Sequence, residues 1–172
     1  MSERPYLLEG QKFQKSGMDA SYTQESASND LNEISLDRIK RIESGSHKIR
    51  PSEVCAMADL YHDPTLYNFY CTNVCEIGKK YIPKIETGEL QKIVLKMLSS
   101  LNSIENTKNR LVDIAVDGEI SDEEIDDFVH IQRQLNEISI TVEALKLWVD
   151  KEIKDGKINM DKYNKSKERI GL

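Results

Sequence analysis

Residues 22–45, YTQESASNDLNEISLDRIKRIESG, hold two short helical periods separated by a turn. Thr23 supplies an N-cap oxygen ahead of Gln24-Glu25-Ser26-Ala27, so a short helix is expected to run to about Leu31, before a turn at Asn32-Glu33. Ser35 caps the next helix, Leu36 to Glu43. It sets Ile39 and Ile42 on one face, with Asp37, Arg38, Lys40 and Arg41 elsewhere, and Ser44-Gly45 stops it. Upstream, a first helix is expected over roughly Tyr6 to Lys15, closed by Ser16-Gly17. Downstream, Pro51-Ser52-Glu53 starts a fourth, with Val54, Met57, Ala58 and Tyr61 inward and an end before Asp63-Pro64. From Pro64 to Gly88 the punctuation by Pro64, Gly78, Pro83 and Gly88 predicts an irregular linker.

Two long helices are expected beyond the linker. In the first, Leu90, Val94, Met97, Leu101, Ile104, Leu111 and Ala115 keep a 4,3 spacing broken only by Lys108, and Gly118 follows its end. In the second, Phe128, Ile131, Leu135, Ile138, Val142, Leu145 and Val149 keep a 3,4 spacing. Ser121-Asp122-Glu123-Glu124 has the form of a capping box, so the connection is short and the pair is an antiparallel hairpin. Ile93, Leu98, Val129, Ile140, Leu147 and Trp148 widen both apolar stripes beyond a two-helix seam. A second copy covering that surface gives a four-helix bundle about a two-fold axis, with Leu135, Ile138, Val142, Leu145 and Trp148 at the dimer interface. A monomer covered by its own linker and tail is the alternative.

The expected class is therefore all-α: a helix-turn-helix domain over 1–68, a Cys-containing linker over 69–88, the hairpin over 89–154 and a polar tail over 155–172. Composition agrees, with 31% charged residues, 6% aromatic residues and few Gly or Pro. No apolar run reaches membrane-spanning length, and the N-terminal MSERPYLLEG lacks a signal-peptide core, which predicts a cytoplasmic protein with no membrane partner. Three cysteines make no disulfide framework and suit a reducing compartment. The net charge of −6 opposes nucleic-acid binding as a whole. Between Ser35 and Arg50, however, Arg38, Lys40, Arg41, Lys48 and Arg50 outnumber Asp37 and Glu43, so DNA is expected there.

The residues from Tyr22-Thr23-Gln24-Glu25 through Ser35 to Gly45 resemble the helix-turn-helix of the XRE family, the phage-repressor-like transcriptional regulators. The chain is similar in particular to members from Gram-positive anaerobes that carry a Tyr-Cys-x-x-x-Cys-x-Ile-Gly segment, matched by Tyr70 to Gly78, and a helical C-terminal region, matched by much of 88–153. The spacing is one residue longer than the family's usual pattern, an insertion placed at Asn32-Glu33. The resemblance implies that Leu36 to Arg41 form a recognition helix in the major groove of double-stranded DNA. It implies that Thr23, Gln24 and Ser44 meet phosphate and that Leu36, Asp37 and Arg41 face base edges. Arg41 suits guanine, Leu36 a thymine methyl, and Asp37 a cytosine amino group, although phosphate repels it. Similar proteins mostly present a neutral donor at that position. A palindromic operator follows from a two-fold dimer.

Blander readings compete. Arg38, Lys40 and Arg41 also suit an ordinary solvated helix face, and a helical adaptor with a degenerate helix-turn-helix and a protein partner is the rival class. Cys55, His62, Cys71 and Cys75 offer zinc-ligand chemistry; the favoured reading makes Cys55 a small core residue and has the other two pack the linker, with no metal required. A redox pair is a third option. Asp113 to Glu124 matches part of a calcium loop, but Ala115 stands where a ligand belongs and the heptads demand helix. No nucleophile, base or Gly-rich loop forms an enzymatic constellation, and no cofactor is expected.

Overall fold

Local capping chemistry at Thr23, Ser35 and Gly45 sets helix ends in the computed structural model, which describes residues 5–86, 88–116 and 118–171. All regular structure among these residues is helical. The chain divides into two compact units, Met1–Lys84 with Val149–Leu172, and Ile85–Trp148.

In the first unit, α1 spans Leu7–Asp19, α2 Gln24–Asp30, α3 Leu36–Glu43 and α4 Pro51–Leu60. The Thr23 hydroxyl accepts from the Ser26 N–H at 3.1 Å, and the Ser35 hydroxyl from the Arg38 N–H, as their N-cap positions require. Gly45, at φ +70°, ends α3 in the left-handed region. Helix α1 does not stop at Ser16-Gly17 as expected. Ser16 donates to Asp63 Oδ2 at 2.8 Å, and a Cβ on Gly17 would lie 3.1 Å from the Tyr61 ring, so both residues are packing positions within the helix. Gly10 lets α1 cross the end of α3: a Cβ there would lie 2.4 Å from the Ile42 carbonyl oxygen.

The stretch expected to be irregular carries α5, Thr65–Asn73, and α6, Gly78–Tyr81. Asp63 Oδ1 accepts from the Thr65 N–H at 3.0 Å, and Leu66 is fully buried, so Pro64 opens a helix instead of a loop. Phe13, Ile39, Ile42, Val54, Met57 and Leu66 form the heart of the core. Phe69 packs edge-on against Phe13 at 6.3 Å. The last residues of α8, Ile125–Lys154, return to this unit: Lys154 pairs with Asp59 at 2.8 Å over the Tyr67 ring. In the expected polar tail, Asn159 caps a further helix, α9 (Met160–Ile170).

In the second unit, α7 (Leu90–Ala115) and α8 pack as the expected antiparallel hairpin. Helix α8 begins at Ile125, after Glu124 has accepted from the Ser121 N–H and hydroxyl. The seam differs from the expected one. Val94, Leu101 and Leu135 are exposed, whereas Ile93, Ser100, Ile114, Ile131, Gln134 and Thr141 are buried. A polar network fixes this register. Thr107 donates to Gln134 Oε1 at 2.6 Å, and Gln134 Nε2 donates to Ser103 Oγ at 2.6 Å. Buried without these partners, the same groups would cost about 1–3 kcal/mol each. Ile138, Leu145 and Trp148 share the inner line of α8 and are half-buried, as is Val142, so of the expected dimer-interface residues only Leu135 is exposed.

Candidate nucleic-acid interface

Helix α3 is two-faced because Ile39 and Ile42 are buried to 0% and 2% exposure, which turns Asp37, Lys40 and Arg41 outward along the opposite face, with Leu36 and Ser44 half-buried at its edges. This face is where α3 can meet a ligand. Lys40 is exposed and joins none of the ion pairs among the described residues; Lys48 and Arg50, flanking buried Ile49 in the loop to α4, are likewise exposed and unpaired by that measure. Arg41 and Asp37, one helical turn apart, form an ion pair at 2.8 Å with both side chains at least half exposed. The pair neutralises Asp37 and aims the guanidinium along the helix axis.

Other expected contact residues are committed inside the protein. Arg38 grips Glu53 with Nε at 2.7 Å and Nη2 at 2.8 Å, and Nη2 also donates to the Lys48 carbonyl at 2.8 Å. This bidentate pair ties α3 to α4. Glu53 also accepts from the Arg50 N–H, capping α4. Burial pushes the Glu53 carboxyl up, but the bonds from Arg38 and Arg50 outweigh it and hold it below the usual glutamate range. Gln24 donates to Glu43 Oε2 at 2.7 Å, joining the start of α2 to the end of α3. Glu43 is buried, and burial raises its pKa despite that bond. Thr23 spends its hydroxyl on Ser26, and Ser44 donates to the Arg41 carbonyl. Of the expected DNA-facing residues, Leu36, Asp37, Lys40, Arg41, Lys48 and Arg50 therefore share the outside, while Gln24 and Arg38 hold the two helices in place. Glu43 and Glu53, the residues that fix this geometry, had only one local signal: Glu53 stands at the third position of α4, where a capping carboxylate belongs.

The cysteines do not form the arrangement their spacing suggests. Cys55 is exposed on α4, not a core residue, and Cys75 lies beyond the end of α5, so Cys71 and Cys75 do not share one helix face. Burial, with the Cys75 and Cys55 thiols nearby, pushes the Cys71 thiol up, opposite to an activated thiolate. Among the described residues, no group of three or more His, Cys, Asp or Glu side chains is placed to hold a metal ion. Asp113 of the candidate calcium loop is helical, and Asp117 lies outside the described residues. No described helix is long and apolar enough to cross a membrane. Comparison with protein-family models, curated proteins and solved structures finds no match for this chain.

Proposed function

We propose that this chain is a sequence-specific DNA-binding regulator of transcription that lays α3 in the major groove. The observation that carries this reading is the outward face of α3, where Leu36, Asp37, Lys40 and Arg41 stand over a fully buried Ile39 and Ile42, with Lys48 and Arg50 beside them. Arg41 reads guanine, Leu36 meets a thymine methyl, and Lys40, Lys48 and Arg50 meet phosphate. Asp37 acts through Arg41: neutralised by it at 2.8 Å, it no longer repels phosphate and instead steers the guanidinium. The resemblance of 22–45 to XRE-family regulators supports the same placement, as does the capped α2–turn–α3 pair. A regulator of this kind works in the cytoplasm, and as a two-fold dimer it reads a palindromic operator with half-sites about 34 Å apart, or a multiple of that.

One observation favours the adaptor as a second reading: Thr23, Gln24 and Arg38 are engaged in internal hydrogen bonds, which leaves fewer groups for phosphate. Selection of bound duplexes from a random DNA pool separates the two. An enriched motif is expected, with uniformly weaker binding for Lys48→Ala and lost base preference for Arg41→Ala. Absence of enrichment at moderate salt contradicts the DNA reading and leaves the adaptor.

A further inference from the structure

Helix α9 gathers positive charge on one side. Residues 156–172 carry five bases against two acids in a chain whose net charge is −6, the same local excess as residues 35–50. Two of the five are already engaged. Lys157 pairs with Glu152 and Asp155 at 2.8 and 3.0 Å, and Lys167 lies 5.2 Å from the centre of the Tyr163 ring. The other three, Lys162, Lys165 and Arg169, are exposed and join none of the ion pairs among the described residues. At 3.6 residues per turn they fall within an arc of about 60° and spread over about 10 Å of helix axis. Met160, Tyr163 and Ile170 lie on the far side, and Asp161 and Glu168 share a flank, so no acid interrupts the basic line. None of the residues of α9 is buried. Its ends are set by local caps, Asn159 Oδ1 accepting from the Lys162 N–H at 3.0 Å and Gly171 at φ +75°. The basic line therefore braces nothing inside the protein.

We infer that α9 is a second DNA-contacting element, which lays Lys162, Lys165 and Arg169 along the phosphates of a duplex and reads no bases. The inference goes beyond the role of α3 but rests on the same reading of the chain as a DNA binder. Phosphates fit this line, because three cations in register with no acid among them complement an anionic polymer. An anionic membrane requires a broad apolar face on the helix as well. Here that face has three residues, of which Tyr163 is half-buried and carries Lys167 over its ring. Helix α9 also belongs to the unit that contains α3. Lys154, at the end of α8, is fixed on Asp59 at 2.8 Å, and Lys157 folds back on Glu152, so α9 leaves from a held point of that unit. Binding through α3 keeps the second element near the same duplex at high effective concentration.

The test is the affinity of the full chain for random-sequence duplex DNA, read by fluorescence anisotropy between about 50 and 200 mM salt. Lys162→Gln with Lys165→Gln and Arg169→Gln is expected to weaken binding at least about tenfold and to flatten the salt slope by roughly two to three, with any base preference kept. Lys162→Arg with Lys165→Arg should bind as the unaltered protein does. The same loss of charge on α7, by Lys92→Gln with Lys96→Gln and Lys108→Gln, should leave the slope unchanged. Should the first variant lose helicity by circular dichroism, Arg169→Gln alone takes its place, with an expected slope loss of about one. A folded α9 variant with the full slope overturns the inference, as does an equal effect of the α7 control. So does binding to phosphatidylserine vesicles that the α9 variant loses while its duplex affinity holds, which assigns the helix to a membrane. Failure of the α3 reading looks different: duplexes are bound without base preference, and the α9 variant still flattens the slope.

Discussion

Replacing Arg38 by Met tests whether this arginine is structural rather than a phosphate contact. The Arg38 and Glu53 side chains are 21% and 10% exposed, and the pair is bidentate. Removing one partner of a buried pair costs about 3–5 kcal/mol. Here Glu53 keeps the bond from the Arg50 N–H, at 2.8 Å, which lowers the expected loss to about 2–3 kcal/mol. For a domain of this size that is roughly 10–20 °C in Tm. The effect of pH has a definite sign. In the unaltered protein the folded-state pKa of Glu53 is depressed, so its stabilisation is present above the unfolded glutamate value and is lost as pH falls through the folded one. Without Arg38 only the Arg50 N–H and guanidinium oppose burial, so that pKa lies higher than in the unaltered protein and the variant's deficit shrinks as pH falls through the carboxylate range. The double variant Arg38→Met/Glu53→Gln, with no buried charge left, is expected to recover to within about 1 kcal/mol of the original. Hydrogen exchange at the Ile39 and Met57 amides across a urea series reports this unit, while Trp148 fluorescence follows the other. A loss under about 0.5 kcal/mol, as for an ordinary surface change, refutes the assignment.

Glu43→Gln is expected to stabilise the first unit at neutral pH by on the order of 1 kcal/mol, because it removes a buried carboxylate while keeping an acceptor for Gln24. Burial raises the folded pKa of Glu43, so its contribution is full below the unfolded value and lost as pH rises through the folded one; urea titrations at pH 7 and pH 4 should show the gain disappear on acidification. Gly10→Ala is expected to cost more than about 2 kcal/mol, since the new Cβ would meet two backbone oxygens, of Ile42 and Glu43, within 2.5 Å. Gly88→Ala, with open space around it, should stay within about 0.5 kcal/mol in the same melts. Asp37→Asn is expected to lower discrimination between the selected motif and a one-base variant while leaving affinity for random duplex DNA little changed, as read by fluorescence anisotropy.

The parts of the fold that were legible in the sequence are those written locally. Thr23, Ser35 and Pro51 announce helix starts, Gly45 announces a stop, and the Ile39–Ile42 spacing shows which face of α3 is outward. What escaped depends on partners far along the chain. Gly17 reads as a helix end until the Tyr61 ring is beside it, and Pro64 as a loop until Asp63 and Leu66 fix the start of α5. In the hairpin, periodicity ranks apolar residues above Ser, Thr and Gln and so selects the Val94–Leu101 line. The hydrogen bonds linking Gln134 to Thr107 and Ser103 select the neighbouring line. In the candidate site, the outward set of Leu36, Asp37, Lys40 and Arg41 follows from spacing on one helix. The withdrawal of Arg38 depends on Glu53, fifteen residues further on and in another helix, which no single-helix pattern contains.

The central claim, that the outward face of α3 reads base edges, is tested most directly by comparing affinities for a selected duplex and for the same duplex with its guanine contact changed, across a range of salt concentrations. The unaltered protein should prefer the selected duplex by about 1–3 kcal/mol. Arg41→Ala should bind both duplexes alike, whereas Lys40→Ala should keep the preference and reduce the salt slope by about one. Equal affinity of the unaltered protein for the two duplexes would contradict the account.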